Sequence, residues 1–333
     1  CGWEPQMGAN LNWGATDHEL FFNDVDTGTW TPFAWKVDVL TGQRQRMSGT
    51  VYHASPDGKW LVSANMRSMI RTQPGYGVMT PPGTAPENRG ASTDDGLYLT
   101  DIASGSCRLL VSFADIVDAL AGHPDLPDVT KGDLYGFHVK WNADGSRLMF
   151  VVRWKPHDGG RIVPRVITMT PSGDDIAIAI PGAEWIKGGH HPQWCPDGEH
   201  ILMNLNIHGD GLRFVTARYD GADLHALHDA IPGSGHPSLH PDGRHILTDV
   251  YLGRELAYGD GTVPLRLVDI EKGTEQRFVR IQTEPVFSGP RNEMRCDPHP
   301  VWHSDYRHVL FNACNNGERR VYMADLKDLL EKE

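Results

Sequence analysis

The stretch WCPDGEHILMN, residues 194–204, decides how the whole chain is read. A large apolar residue leads into Pro-Asp-Gly, and an apolar run follows. Pro fixes φ, Asp accepts hydrogen bonds from its own turn, and Gly takes up φ > 0, so the segment closes a tight hairpin. Working outward, the same unit returns downstream as LHPDGRHILTD from Leu239 and WHSDYRHVLFN from Trp302. Upstream it returns as WNADGSRLMFVV from Trp141, ASPDGKWLVSA from Ala54 and WGATDHELFFND from Trp13. The turn aspartates are Asp17, Asp57, Asp144, Asp197, Asp242 and Asp305. Recurrence every 40–50 residues or so is the sequence mark of propeller blades. The long step from Asp57 to Asp144 reads as one blade carrying an insertion.

Most copies are followed by a second strand pair around a polar turn, as in FAWKVDVLTGQRQRM from Phe33, GLYLTDIASGSCRLLVSF from Gly96 and FVTARYDGADLHAL from Phe214. Two hairpins per repeat make a four-stranded blade. Stacked blades bury both faces of each sheet, which accounts for apolar runs without strict alternation. The expectation is an all-β chain, a β-propeller of four-stranded blades forming one domain over residues 1–333. Six blades are readable, and the seven-bladed type, its first blade lying partly outside this chain, is preferred over a six-bladed ring. The Pro/Gly/Arg-rich insertion covers residues 65–95 or so of the second blade. FADIVDALAGH from Phe113 and DLKDLLEKE from Asp325 read as short helices.

Composition narrows the function classes. The chain has 333 residues, 43 Asp+Glu against 31 Lys+Arg, and a formal net charge of −12. No basic stripe offsets that charge, so a nucleic-acid partner is not expected. No run of 18 apolar residues exists, so no membrane-spanning helix is expected. The five cysteines (Cys1, Cys107, Cys195, Cys296 and Cys314) form no CxxC pair and no regular framework. The chain opens with Cys-Gly-Trp and shows no charged-then-apolar leader, which points to a cytoplasmic location, with a secreted or periplasmic one as the alternative if the sequence starts downstream of a leader. The oligomeric state is not legible.

A histidine recurs at one register position. Three residues before the large residue of each repeat stand His138, His191, His236 and His299, in HVKW, HPQW, HPSL and HPVW. The first two repeats have Asn10 and Val51 there. That position falls in the first strand of a blade, which lines the channel of a propeller, so the four imidazoles are expected to form a one-sided arc. Asp297 lies two residues before His299, and period-2 strand geometry would put both on one face. A carboxylate among imidazoles in a wet cavity suits a metal or an acid–base site. His190 should face away from His191. The remaining histidines, among them His18, His53, His123, His200 and His308, read as ordinary satisfied side chains.

At these residues the sequence resembles the oligogalacturonate lyases, propeller enzymes that cleave short pectin fragments by β-elimination. The resemblance rests on residues 136–325 or so. It implies that His191, three residues before Trp194, abstracts the proton. It implies that His236 is a metal ligand, and that Asp297-Pro298-His299 stands where the family has a His-Pro-His pair of ligands. Arg165, eight residues ahead of Gly173, matches the family's catalytic arginine. His138, His190 and Arg295 are assigned to substrate binding. The chain departs from the family at Asp297, which replaces a histidine, and at Met294, which stands where the family has a glutamine ligand. The implied cofactor is a divalent metal, Mn2+ or Ca2+, and the implied partner is an acidic oligosaccharide.

Two readings compete with the lyase. A non-catalytic propeller would bind a glycan or a protein and would need no aligned His/Asp/Arg set. A glycoside hydrolase would want two carboxylates flanking the scissile bond, whereas Asp297 is the clear carboxylate at this register. The long insertion, with Arg67, Arg71 and Tyr76, is either an ordinary exposed loop or a roof that touches sugar.

Overall fold

Each of the six Asp-centred repeats folds into one antiparallel sheet, giving an all-β, six-bladed propeller fold. The computed structural model describes residues 8–283, 296–315 and 317–331. Among the described residues the first five sheets have four strands and the sixth has three, and neighbouring strands follow one another in the chain. No seventh sheet is present among the described residues. The chain divides into two compact units, Cys1–Ala183 with Tyr219–Gly221 and Glu184–Arg218 with Ala222–Glu333. Each carries three sheets.

In the first unit the sheets open at Asn12–Trp13, His53–Ala54 and Gly132–Trp141. The insertion follows strand Trp60–Ala64, contains a 3-10 turn at Met69–Arg71, and returns to strand at Gly96–Asp101. It is held partly by strand Gly132–Trp141, where Asn88 donates to Leu134 O at 2.6 Å and Gly90 N–H to Asp133 at 2.8 Å, and partly by its own bonds. Arg67 donates to Thr84 O at 3.1 Å, and Arg71 donates to Pro86 O and Ala85 O and pairs with Glu87 at 2.9 Å. The expected helix forms at Phe113–Ala119, capped by reciprocal bonds between Ser112 and Asp115. The short helix near the C-terminus is Lys327–Leu330.

In the second unit the fourth sheet comprises Gly189–Trp194, His200–Leu205, Arg213–Arg218 and His225–Ala226. The fifth comprises Ser238–Leu239, His245–Thr248, Thr262–Asp269 and Thr274–Gln282. The sixth comprises Val301–Trp302, His308–Asn315 and Glu318–Asp325.

Sheet-to-sheet packing makes the core. Leu148, Met149, Phe150, Val151 and Val152 are consecutive and all buried, which alternation on a one-faced sheet forbids. Between the fourth and fifth sheets lie Leu202, Phe214, Ile246 and Val268. Between the fifth and sixth lie Leu247, Leu267, Trp302 and Val309. Removing a ring such as Phe214 would cost about 3–5 kcal/mol. The four described cysteines are free.

The hairpin turns behave as their chemistry dictates. Gly58, Gly145, Gly198 and Gly243 all have φ between 67° and 73°. The sixth repeat has Tyr306 in that place, at φ 52°. In the second unit each turn aspartate also holds a histidine ring three residues on. Asp197, Asp242 and Asp305 meet His200, His245 and His308 Nδ1 at 2.7, 2.6 and 2.7 Å. His200 and His308, each at the start of a strand, thus have a carboxylate partner in their own hairpin, in line with their reading as ordinary satisfied side chains.

Candidate functional site

The site of the second unit begins with backbone geometry. Along strand Gly189–Trp194, His190 pairs with Asn204 and Gln193 with Leu202, so His191 and Pro192 form a bulge. His191 sits at φ 61° and His299 at φ 43°, both in the left-handed region that non-glycine residues avoid. Each costs roughly 1–3 kcal/mol and persists only where the surroundings hold it. Bulges of this kind re-aim a side chain next to functional sites.

The redirected rings converge. Ring centroids are 3.9 Å apart for His191 and His236, 3.4 Å for His236 and His299, and 6.3 Å for His191 and His299. His236, Asp297 and His299 each offer a ligand atom, and these atoms lie within 4.8 Å of one another. His236 and Asp297 are buried and His299 is exposed. The expected register holds, but its stated reason fails for two residues. His236 and His299 precede their strands, at Ser238–Leu239 and Val301–Trp302, so strand alternation does not bring Asp297 and His299 together.

Asp249 does much of the positioning. Its side chain is buried, and it accepts from the backbone N–H of His236 at 2.6 Å and of His299 at 3.1 Å. Both its oxygens lie 3.0 Å from His236 Nδ1. An Nδ1–H directed at a carboxylate leaves Nε2 as the lone-pair nitrogen, the arrangement found behind metal-bound histidines. Burial pushes the Asp249 carboxyl above its usual range, while the His299 ring and the two backbone N–H bonds oppose that rise. A cation liganded by His236 and His299 would add a further opposing charge. The donor set of two imidazoles and two carboxylates, one inner and one behind, therefore fits a divalent metal.

Tyr251 joins the histidines. Its hydroxyl makes a short contact with His191 Nε2 and lies 3.2 Å from His236 Nε2. His190 stands behind His191, with ring centroids 4.7 Å apart, and is held by Asn204 Nδ2 at 3.2 Å from Nδ1. Burial pushes its pKa down to about 4, so it is neutral at ordinary pH. Asn204 also donates to Gly235 O at 2.9 Å and Ser234 O at 3.2 Å, and buried Arg266 donates to Ser234 Oγ at 2.6 Å. These bonds lock the turn that delivers His236.

His138 and Arg165 belong to the first unit, and Arg295, like Met294, lies outside the described residues. Arg165 is only 4% exposed. Its Nε faces Asp125 at 3.3 Å and its Nη2 donates to Asp125 O at 3.2 Å. Asp125 also accepts from the N–H groups of Gly182 and Ala183 at 2.7 and 2.9 Å. Asp125 thus holds two loops and engages Nε and Nη2 of Arg165, while the buried Nη1 has no hydrogen-bond partner among the described residues. His303, Asp305 and His308 also present ligand atoms within 4.8 Å, but two of the three are exposed and the group belongs to the hairpin turn repeated in the neighbouring sheets.

No protein-family model matches the chain, and no curated protein does either. Solved structures do. An oligogalacturonate lyase in complex with manganese matches 95% of this chain and 76% of its own, with a TM-score of 0.61 and 18% identity. The likeness is one of fold. The tricorn protease matches 96% of this chain at TM-score 0.58 and 11% identity, and an acylaminoacyl peptidase of Pyrococcus horikoshii matches 98% at 0.55 and 10%. This chain covers 29% and 46% of those two, less than half of either. One architecture thus serves a lyase and peptidases, so any choice of chemistry must come from the side chains.

Proposed function

We propose that this chain is a metal-assisted lyase that cleaves uronate-containing oligosaccharides by β-elimination. The observation that carries the reading is the convergence of His191, His236, Asp297 and His299, with Tyr251 bridging the first two.

His236, Asp297 and His299 would hold the cation, and their two imidazoles favour a transition ion such as Mn2+ over the all-oxygen preference of Ca2+. A bound divalent ion supplies charge that neutralises a uronate carboxylate and so acidifies the C5 proton. Neutral His191 takes that proton at Nε2. The electron pair of the C5–H bond forms the C4–C5 double bond, and the C4–O bond breaks. Tyr251 gives its phenolic proton to the departing oxygen. His191 then returns the C5 proton to the tyrosyl oxygen across their existing hydrogen bond, so both groups regain their starting forms. Asp249 keeps His236 in one tautomer throughout.

The test uses a galacturonate trimer with Mn2+, read by the ultraviolet absorbance of the conjugated unsaturated uronate. Activity that disappears in His191→Ala and on chelation is expected. Product formation that survives both changes, or no product from galacturonate or glucuronate oligomers, would overturn the proposal.

A further inference from the structure

A second group of side chains, in the first unit, surrounds an arginine that makes no ion pair among the described residues. Buried arginines in this chain come with carboxylates. Arg147 Nη1 meets Asp175 at 2.7 Å, Arg165 meets Asp125 at 3.3 Å, and Arg266 Nε meets Glu275 at 2.7 Å. Arg153, on strand Leu148–Pro156, is also largely enclosed, yet it makes no ion pair among the described residues. Its polar contacts are long ones to the insertion, 3.5 Å to Thr72 O and 3.4 Å to Thr72 Oγ1.

Aromatic rings surround it. The Arg153 guanidinium carbon lies 3.5 Å from the centroid of Phe137. Phe137 and His138 occupy the bulge of strand Gly132–Trp141, where the register shifts between Phe150 and Val152, and their rings stack at 4.0 Å. Tyr76 reaches in from the insertion, 5.0 Å from Phe137 and 6.2 Å from His138. Tyr52 closes the other side, 5.6 Å from His138. A guanidinium taken partly out of water without an anion is costly, and the cost is recovered when an anion arrives. Desolvation brings the Arg153 pKa down to about 10, which leaves it charged at neutral pH.

We propose that Arg153, His138, Tyr52 and Tyr76 form a binding subsite for a uronate residue, with the Arg153 fork on the sugar carboxylate and the rings against the apolar face of the pyranose. Planar Arg matches a carboxylate with two parallel bonds, and its face stays on Phe137 while its edge binds. The choice of a uronate rests on the lyase reading. The demand of Arg153 for a carboxylate rests on the contacts above.

The test is calorimetric binding of a galacturonate trimer to the full chain without added metal, beside a glucuronate oligomer and a neutral galactose oligomer. Arg153→Met keeps the stack on Phe137 and removes the fork. Its Kd for the acidic trimer should rise on the order of tenfold or more, as expected for a charge-assisted pair, with thermal stability equal to wild type or higher and Mn2+ uptake unchanged. Tyr76→Ala, confined to the insertion, serves as the second variant and should weaken binding of the same trimer several-fold. Equal affinity in wild type and Arg153→Met, or binding of the neutral oligomer as tight as the acidic one, would overturn the subsite. Arg153-dependent binding with no unsaturated product would retain the subsite and remove the lyase. Equal trimer affinity in Arg153→Met and wild type, with unsaturated product still formed by wild type, would do the reverse.

Discussion

Asp249 grips His236 at two points, taking its backbone N–H at 2.6 Å on Oδ1 and its ring Nδ1 at 3.0 Å. One carboxylate therefore fixes where the histidine starts and which nitrogen faces Tyr251. Asp249→Asn keeps the volume and one acceptor but loses the charge. Mn2+ affinity should fall about 10–100-fold, the usual loss when the group behind a metal-bound histidine is removed. Titration calorimetry with Mn2+ reads this directly, with circular dichroism to show an intact fold. Affinity equal to wild type would mean that Asp249 does not orient a ligand.

The same carboxylate explains a glycine. Gly235 has φ 51°, and a Cβ there would lie 2.0 Å from Asp249 Oδ1 and 2.3 Å from Asp249 O. Gly235→Ala meets both a strained backbone and an occupied space. It should destabilise the protein by more than about 1 kcal/mol and lower metal uptake at the same time. Thermal denaturation and metal analysis of the purified variant check the two effects together. A variant as stable as wild type would show that the turn has room to relax.

The blades were readable because their information is local. Each Asp-centred turn carries its own chemistry in a few adjacent residues, and Trp141, Trp194 and Trp302 mark the same register in three of them. The histidine positions were readable by counting from those residues. What counting could not show is the backbone. The bulge at His191 and the left-handed φ at His299 depend on neighbouring elements, so alternation was the wrong argument for bringing Asp297 to His299. Asp249 and Tyr251 were missed for a related reason. They follow strand His245–Thr248 as part of DVYL, an ordinary strand exit, and only the folded turn carries them to the histidines. The aspartate directly after the HILT run, with tyrosine two residues later, was the available signal. Asp125, forty residues from Arg165 in sequence and 3.3 Å from its Nε, was not legible in the matched pattern, because that contact is made by the folded loop.

Tyr251 gives a kinetic prediction. If it donates the proton to the departing oxygen, Tyr251→Phe retains the ring and loses the transfer. On the lyase reading kcat should fall by at least about 10²-fold while Mn2+ still binds. Steady-state kinetics on a galacturonate trimer, followed by product absorbance, gives the answer. A kcat within twofold of wild type would assign the donor elsewhere and leave the contact with His191 as packing.

Acid stability follows from the fifth sheet. Arg244 binds Asp269 through two nitrogens, Nε at 2.9 Å and Nη2 at 2.5 Å. Those bonds, with the backbone N–H of Lys272, bring the Asp269 pKa from its usual 3.8 down to about 2. A folded-state value below the unfolded one means that the unfolded chain binds the proton more readily. The stabilisation is complete above the unfolded pKa and drains away as pH falls from about 4 to about 2. In Arg244→Met the main cause of the depression is gone. The variant should therefore lie closest to wild type at the acid end of that window and fall below it most at pH 5 and above. Melting temperatures measured at half-unit steps from pH 5 to pH 2 would show the two curves converging toward acid. Parallel curves would mean that the pair is solvent-screened and contributes no pH-dependent stability.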